Sequence, residues 1–284
     1  MRGRVCVVTG ATSGIGRAAA VELARRGARV VVHGRSLEKC ELAVEDIKAA
    51  SGNDQIDALV ADLESQEQVR ALAGALLARY PKIHVLLNNA GLFNAGFSET
   101  VDGIETTLAV NHLAPFLLSN LLLDRLKESQ PARIVNVSSE AHRFGRLDLG
   151  DLEFRRRNYR SLRVYGVSKL LNVLFTQELA RRLEGAGVTA NALHPGVVST
   201  GLGNNNPPSL VSRAMRLSKF LMRTPEKGAE TAIFLAGSPD VEGETGKYWV
   251  DCREKRARDI GYNREIQRRL WEISGNMTGL VSRA

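Results

Sequence analysis

Tyr165 and Lys169 are the residues whose types and spacing most directly suggest chemistry. They lie four positions apart in a run with helical periodicity, so both side chains project from one helical face. A free tyrosine has a pKa of about 10 and is a poor acid or base at neutral pH. A neighbouring cation favours the phenolate and lowers that pKa, as protonation of a carbonyl or deprotonation of an alcohol requires. Such a pair is common by itself and then usually structural, so its meaning depends on the rest of the chain.

A glycine-rich segment, TGATSGIG at residues 9–16, follows the first apolar run and opens a helical pattern. Glycines there let backbone amides and a helix amino terminus approach a pyrophosphate with no Cβ in the way. The spacing is Gly-x-x-x-Gly-x-Gly rather than the commoner Gly-x-Gly-x-x-Gly, and a structural turn is the alternative for such a segment alone. The segment predicts a dinucleotide site with contacts from Gly10, Thr12, Ser13, Gly14, Ile15 and Gly16.

The end of the second predicted strand lacks the acid that would hold the ribose hydroxyls of NAD. Roughly 20 residues past the glycine turn, the chain reads His-Gly-Arg, ending at Arg35, and Arg17 follows the last glycine. Two guanidinium groups could pair with a 2′-phosphate, which an acid would repel; solvated surface arginines are the alternative. We therefore predict NADP(H) as the cofactor. Asp62 and Leu63, after the third strand, could contact the adenine, although Asp62 could instead cap the next helix.

Further motifs accompany these in order along the chain. Asn-Asn-Ala-Gly at residues 88–91 follows the fourth predicted strand, Asn111 lies in a helix, Ser-Ser ends the fifth strand at Ser139, and Pro195 follows the sixth. With this ordered set, the chain resembles the classical short-chain dehydrogenase/reductase family over nearly its full length. Local cues, such as GKYWVDC at residues 246–252, make it similar to the retinol dehydrogenase-like and WW-domain-oxidoreductase-like members.

The resemblance implies a role for each matching residue. Tyr165 would be the general acid/base and Ser139 the hydroxyl that steadies the substrate oxygen, with Ser138 as the alternative. Lys169 would lower the pKa of Tyr165 and, like Tyr165, contact the nicotinamide ribose. Asn111 would anchor a water in a proton relay, unless it is an ordinary buried asparagine. The remaining implied cofactor contacts are Asn89, Ala90, Gly91, Pro195, Gly196, Val198 and Thr200.

The elements that position these motifs alternate along the chain as strand and helix. Strands are predicted at 4–9, 29–33, 55–60, 85–88, 133–138 and 188–193, and helices at 14–26, 37–50, 65–80, 103–129, 159–184 and 225–236. This alternation predicts an α/β, single-domain Rossmann fold, a doubly wound parallel sheet with helices on both faces. We expect one NADP(H)-binding domain over residues 1–284, with substrate-loop insertions at about 143–163 and 201–227.

The composition excludes several classes of protein. A hydrophobic content of 44% over 284 residues is that of a globular chain, which excludes disorder and collagen-like repeats. The net charge of +8 could indicate a nucleic-acid partner, but the basic excess of residues 143–163 and 209–227 accounts for all of it. We therefore expect no nucleic acid, and an acidic substrate group or an anionic surface near the substrate mouth. His142 and His194 lack a third ligand at metal-site spacing, so no metal is predicted.

The cellular location and the substrate class are predicted from less specific features of the sequence than the motifs above. Three cysteines far apart in sequence favour reduced thiols in the cytoplasm, and no window supplies the roughly 20 apolar residues of a membrane span. Residues 209–223, at the family's substrate-lid position, form an amphipathic helix pattern that fits a lid, a peripheral membrane contact or an oligomer contact. We expect interconversion of a carbonyl and its alcohol on an apolar retinoid-, steroid- or lipid-like substrate, and the resemblance implies a homodimer or homotetramer. The alternative is a catalytically idle NADP(H)-sensing or scaffold protein of the same fold.

Overall fold

Short runs rich in β-branched residues form one sheet in the computed structural model, which describes residues 1–198 and 223–280. Its strands are β1 (Val5–Thr9), β2 (Arg29–Gly34), β3 (Ile56–Val60), β4 (Val85–Asn88), β5 (Ala132–Val137), β6 (Val188–His194), β7 (Tyr248–Val250) and β8 (Arg253–Lys255). Their order is β3-β2-β1-β4-β5-β6-β7-β8, with every neighbouring pair parallel except β7 and β8. The strand order reverses direction between β1 and β4, and in such sheets ligands bind in the crevice at the carboxyl ends beside this switch point.

Helices cover both faces of the sheet. They are α1 (Gly14–Arg25), α2 (Leu37–Ser51), α3 (Gln66–Arg79), α4 (Thr106–Leu108), α5 (Ala114–Leu121), α6 (Leu123–Glu128), α7 (Ser161–Arg182), α8 (Pro225–Gly237) and α9 (Arg264–Met277). Apolar residues of α1, α2 and α8 pack on one face, and those of α3, α5 and α7 pack on the other. The single-domain, doubly wound α/β fold is therefore confirmed, and among the described strands β8 is the one that pairs antiparallel. Within residues 1–198 and 223–280, no helix has the length and apolar composition needed to cross a membrane.

The helix predicted at residues 103–129 is divided in the structure. A π-helical segment, Ala109–Leu113, separates α4 from α5, and a break at Leu122 precedes α6. Apolar residues continue at helical spacing through both interruptions, so the pattern did not reveal them. The widened turn contains Asn111, and single π-helical turns inside α-helices often lie at functional sites.

Two strands of the sheet were not predicted, and some of the predicted residues lie outside the part of the chain that the structure describes. Strands β7 and β8 were not predicted because each has only three residues and β8 reads Arg-Glu-Lys, which carries no apolar alternation. Thr200, most of the insertion expected at 201–227, and residues 209–222 of the amphipathic segment lie outside the described residues.

Helix α9 covers α5 and α7. Trp271 of α9 is buried between Phe116 of α5 and Phe175 of α7, with ring centroids 5.0 and 5.9 Å away. The guanidinium of Arg182 lies over the indole ring, 4.3 Å from its centre. Helix α9 thus packs directly on the two helices that contain or follow the predicted catalytic residues.

We expect Trp271→Ala to lower the free energy of unfolding by about 3 to 5 kcal/mol, because it removes a buried aromatic side chain and leaves a cavity. Chemical denaturation measures this change. Glu272→Ala is the matched control, because this neighbour on α9 makes an exposed ion pair with Arg268 and should change stability by less than about 1 kcal/mol. Equal losses for the two variants would contradict the proposed packing of α9.

Candidate active site

The glycine-rich turn between β1 and α1 is closed by Asn89. Gly10 has a φ of +64°, and a Cβ on it would lie 2.9 Å from Cα of Ala90. A Cβ on Gly16 would lie 2.3 Å from the carbonyl oxygen of Gly10. Nδ2 of Asn89 donates hydrogen bonds to the carbonyls of Thr9 and Gly10 at 2.9 and 3.1 Å. These predicted cofactor residues therefore meet in one turn whose close backbone approach only glycine permits.

The amino terminus of α1 differs from those of α2, α3, α8 and α9. Each of those four has a side chain that accepts a hydrogen bond from the first turn, and an acidic residue within that turn. The side chain of Ser13 makes no such capping bond in α1, and the first turn there, Gly14-Ile15-Gly16, contains no acid. First-turn amides and the positive end of the helix dipole therefore remain for an anion. This donor set fits the pyrophosphate of a dinucleotide.

The two arginines expected at a 2′-phosphate both have acidic partners in the chain. Nη1 of Arg17 lies 2.8 Å from Oδ2 of Asp46, and Nη1 of Arg35 lies 3.7 Å from Oε1 of Glu64. Both guanidinium side chains are about half exposed. Exposed ion pairs contribute little free energy, so a phosphate could replace these carboxylates.

Asp62 does not cap the following helix. Ser65 is the cap of α3, because its Oγ accepts a hydrogen bond from the amide of Gln68, while Oδ1 of Asp62 accepts one from the amide of Glu64. Asp62 is thus held at the carboxyl end of β3. Its neighbour Leu63 is nearly buried and lines a small cleft at the carboxyl ends of β1 and β4.

Asn111 and Lys169 come together at Gly91. A Cβ on Gly91 would lie 3.2 Å from Oδ1 of Asn111 and 3.3 Å from Nζ of Lys169. The amide of Leu92 donates to Oδ1 of Asn111 at 2.8 Å, and Nδ2 of Asn111 donates to the carbonyl of Leu92 at 2.9 Å. Nδ2 also donates to Oγ of Ser168 at 3.0 Å. The asparagine side chain is therefore locked in one orientation beside the lysine amine.

Tyr165 lies against Ser139 and Phe93. The side chain of Ser139 is the hydrogen-bonding neighbour that lowers the pKa of Tyr165, and the ring of Phe93 meets the phenol edge-on at 5.6 Å. Ser138 is buried, and its Oγ donates to the carbonyl of Lys169 at 2.8 Å. Of the two serines, it is Ser139 whose hydroxyl lies at the phenol.

Burial dominates the electrostatics of Tyr165 and Lys169. Burial lowers the pKa of Lys169 to about 8, and its Nζ donates to the carbonyl of Val137 at 3.0 Å. Burial also raises the pKa of Tyr165 to about 12, and the hydrogen bond with Ser139 offsets only part of that rise. Nζ lies 5.6 Å from the centre of the phenol ring. In the chain by itself, the expected lowering of the Tyr165 pKa by Lys169 is therefore outweighed by desolvation, which the spacing of the two residues does not reveal.

The loop after β6, with Pro195, Gly196 and Val198, lies against the start of α1. A Cβ on Gly228 of α8 would lie 2.5 Å from Val198 and 3.2 Å from Ile15, so the missing side chain leaves room for both. Gly196 has a φ of +86°, a conformation that other residues rarely adopt. These expected nicotinamide contacts therefore adjoin the glycine-rich turn.

Several residues that hold the site together were not predicted. Oγ1 of Thr9 accepts hydrogen bonds from the amides of both Asn89 and Ala90 at 3.0 Å. Glu105 is fully buried, and its carboxylate accepts from two amides at the start of α4, the helical stretch that leads to Asn111. Nδ1 of His142 lies 2.7 Å from the carbonyl oxygen of Ser139. The contacts of Thr9 join two strands about 80 residues apart in the chain, so only the strand order identifies them, whereas those of Glu105 and His142 are local and could have been sought as helix caps.

No three His, Cys, Asp or Glu side chains are grouped to hold a metal ion in the part of the chain that the structure describes.

Comparisons with known proteins agree with this geometry. A family model described as short chain dehydrogenase matches residues 4–210. Retinol dehydrogenase 12 of Mus musculus is 44% identical over 278 residues, which cover 98% of this chain and 87% of that protein. A solved structure of an uncharacterised protein from Mycobacterium paratuberculosis is 32% identical with a TM-score of 0.78, covering 98% of this chain and 94% of the other. A short chain dehydrogenase from Burkholderia cenocepacia, solved in complex with NADP, is 29% identical with a TM-score of 0.69. The match covers 87% of this chain and 95% of the other.

We expect Gly91→Ala to weaken binding of the nicotinamide cofactor roughly tenfold, because the added methyl group must displace the Asn111 amide and the Lys169 amine. Isothermal titration calorimetry measures the dissociation constant. The matched control is Gly74→Ala in α3, where a Cβ meets no atom within 4 Å. Unchanged affinity in Gly91→Ala would contradict the tight convergence at Gly91.

Proposed function

The chain belongs to the short-chain dehydrogenase/reductase family, among its retinol dehydrogenase-like members, and on that basis we propose that it interconverts a carbonyl and its alcohol with NADP(H). The proposal rests above all on one observation. The hydroxyl of Ser139 meets the phenol of Tyr165, on the helix that also brings Lys169 to Asn111 at Gly91. A catalytically idle protein would have no need to keep Lys169 and Asn111 buried beside these two hydroxyl groups.

The cofactor would lie along the carboxyl ends of the strands. The glycine-rich turn and the amino terminus of α1 would bind its pyrophosphate, Asp62 and Leu63 its adenine, and Asn89, Ala90 and Gly91 the middle of the molecule. The loop with Pro195, Gly196 and Val198 would line the nicotinamide ring, and Thr200 would follow it. When bound, the nicotinamide supplies or accepts the hydride.

Tyr165 would transfer the proton. Its pKa of about 12 keeps the phenol protonated at neutral pH, so Tyr165 can donate a proton to a carbonyl oxygen during reduction. The hydroxyl of Ser139 would donate a hydrogen bond to the same oxygen, where negative charge develops. Lys169, with a pKa near 8, stays mostly protonated at neutral pH and would stabilise the phenolate that remains. Asn111 would hold the water that returns the proton.

The preference for NADP(H) is supported by Arg35 and Arg17. Arg35 stands directly after β2, where an enzyme selective for NAD would have an acid. The ion pairs with Glu64 and Asp46 are exposed, so both guanidinium groups can turn to a 2′-phosphate without a large loss of free energy. The NADP in the Burkholderia cenocepacia structure is consistent with this choice.

An apolar substrate is supported by the side chains around Tyr165. Phe93 contacts the phenol, and Phe144 and Leu162 are 70% and 61% exposed. A Cβ on Gly145, next to Phe144, would lie 2.8 Å from the carbonyl of Gly166, so this loop packs on α7 one residue after Tyr165. Exposed apolar side chains at such a rim favour a retinoid-, steroid- or lipid-like aldehyde or ketone. The homodimer or homotetramer and the membrane contact through residues 209–223 stay predictions.

We expect Tyr165→Phe to lower kcat for reduction of retinaldehyde by roughly 100- to 10,000-fold, because it removes the proton donor. The dissociation constant for NADPH should stay within about threefold of the original, since the ring and Lys169 remain. Tyr80→Phe is the matched control: its hydroxyl donates a hydrogen bond to Asp57 of the edge strand β3. Activity that survives in Tyr165→Phe would contradict the assignment of Tyr165 as the proton donor.

We expect Arg35→Ala to lower the ratio of kcat/KM for NADPH to that for NADH by roughly 10- to 100-fold, since a charged hydrogen bond to the 2′-phosphate is lost. Steady-state kinetics with both cofactors give the ratio. Arg29→Ala, at the other end of β2, removes an arginine paired with Asp57 and should leave the ratio unchanged. A ratio below one in the unaltered chain would overturn the assignment of NADP(H).

A further inference from the structure

His142 is a buried imidazole beside Ser139, and both of its ring nitrogens are engaged. Nδ1 lies 2.7 Å from the carbonyl oxygen of Ser139, and Nε2 accepts a hydrogen bond from the backbone amide of Arg258 at 3.1 Å. The side chain is fully buried, and the ring of Tyr248 meets it edge-on at 4.9 Å. The proposed chemistry uses no atom of this imidazole, although it bonds the residue whose hydroxyl would hold the substrate oxygen.

These two contacts fix the tautomer of His142. A backbone amide can only donate, so Nε2, which faces the amide of Arg258, must offer a lone pair. Burial lowers the pKa of His142, and the neutral ring therefore carries its one hydrogen on Nδ1. Nδ1–H then donates to the Ser139 carbonyl, which also accepts from the backbone amide of His142 at 3.0 Å. The imidazole thus joins the backbone of Arg258 to that of Ser139.

Ser139 precedes the short 3₁₀ helix Glu140–Phe144, and its hydroxyl is oriented by the start of that helix. Ser139 is extended, and its Oγ accepts a hydrogen bond from the amide of Ala141 at 3.2 Å. Because this amide occupies a lone pair of Oγ, the hydroxyl hydrogen stays available to a substrate oxygen. A rotation of the peptide that carries the Ser139 carbonyl would move the Ala141 amide and redirect the hydroxyl.

The same 3₁₀ helix packs closely on α7 beside Tyr165. A Cβ on Gly166 would lie 2.7 Å from the carbonyl oxygen of Ala141, and a Cβ on Gly145 would lie 2.8 Å from the carbonyl oxygen of Gly166. The two segments can approach this closely because glycines stand at both positions. The direction of the Ser139 hydroxyl relative to the phenol therefore depends on how the 3₁₀ helix is held against α7.

Residues 256–258, which follow β8, bond the 3₁₀ helix at further points. The guanidinium of Arg258 donates to the carbonyl of Gly145, and Nη2 of Arg143 donates to the carbonyl of Arg256 at 2.9 Å. With the bond from the Arg258 amide to His142, three hydrogen bonds join stretches of chain that lie 113 to 116 residues apart. The bond to His142 is the one of the three that continues through a side chain to Ser139.

We propose that His142 is a positioning residue whose imidazole ties the Ser139 carbonyl to the Arg258 backbone and thereby directs the Ser139 hydroxyl at the substrate oxygen beside Tyr165. The inference rests on the proposed role of Ser139 in the reaction. His142 acts through Ser139 and needs no contact of its own with substrate or cofactor. Its loss should therefore slow the chemical step without weakening the binding of NADPH.

The tautomer of His142 tests the two hydrogen bonds without relying on catalysis. Full-length protein with ¹⁵N-labelled histidine contains five imidazoles, and the signals missing from His142→Asn identify this one. Two-dimensional ¹H–¹⁵N NMR at neutral pH should show a neutral ring that is protonated at Nδ1. A ring protonated at Nε2, or a charged ring, would overturn the proposal.

Two amide side chains separate the two hydrogen bonds of His142. Asparagine places an NH₂ group near the position of Nδ1 and can keep the bond to Ser139, whereas glutamine places its oxygen near Nε2 and can keep only the bond to Arg258. We expect His142→Gln to lower kcat for reduction of retinaldehyde roughly tenfold, with KM for NADPH unchanged, because one hydrogen bond to the reacting oxygen is misdirected. His142→Asn should keep kcat within about threefold of the original. Equal losses in the two variants would overturn the proposal.

A double variant decides whether His142 acts through Ser139. Once Ser139→Ala has removed the hydroxyl, adding His142→Gln should change kcat by less than about twofold, because no hydroxyl remains to be directed. His84→Gln is the matched control: Nδ1 of His84 accepts from the amide of Val5 at the amino ends of the strands, so kcat should not change. Independent losses in the double variant, or an equal loss in His84→Gln, would overturn the proposal.

Failure of the proposed function would give a different result. Ser139→Ala and Tyr165→Phe would then keep the activity of the unaltered chain, and the positioning role would fall with it, although NMR still showed Nδ1 of His142 protonated. Loss of activity in both of these variants, together with an undiminished kcat in His142→Gln, would overturn the positioning proposal alone.

Discussion

Burial of the Lys169 amine is the constraint on which the rest of the site depends. Lowering its pKa from 10.5 to about 8 means that the fold loses roughly 3 kcal/mol at neutral pH by keeping this ammonium desolvated. The loss applies below the folded pKa and disappears as the pH rises past the unfolded value, because the unfolded chain binds more protons in between. Among the residues that the structure describes, the carbonyl of Val137 accepts a hydrogen bond directly from the amine. The surrounding groups must therefore hold it accurately, which explains why Asn111, Ser168 and Asn172 are themselves buried and hydrogen-bonded.

The second requirement of the site is that backbone segments approach neighbouring atoms closely, and glycine allows this at two places. Gly10 and Gly16 let the turn after β1 close under Asn89, and Gly91 lets the chain pass between the Asn111 amide and the Lys169 amine. These two places lie at the carboxyl ends of β1 and β4, where the strand order reverses. The uncapped start of α1 points to the same crevice, so anion binding and proton transfer share one edge of the sheet.

Much of this could be predicted from the sequence, because strands β1 to β6 are apolar runs and the motifs stand where those strands end. The choice between Ser138 and Ser139 rested on alternation along a strand, and the structure places Ser139 at the phenol. The π-helical segment around Asn111 could not be predicted from the sequence, since apolar residues continue through it at helical spacing. The partner of Arg17, Asp46, lies 29 residues away on α2, and no local pattern relates the two. In the chain by itself, burial raises the pKa of Tyr165, an effect that depends on the packed fold and that the spacing of Tyr165 and Lys169 does not indicate.

The most direct test of the account is to follow NADPH absorbance while the unaltered chain is presented with retinaldehyde, long-chain aldehydes and steroid ketones. Hydride transfer with Tyr165 as the proton donor predicts that at least one apolar carbonyl compound is reduced, with one alcohol formed for each NADPH consumed and a much slower reaction with NADH. Consumption of neither cofactor with any of these carbonyl compounds, or faster reaction with NADH throughout, would contradict the account.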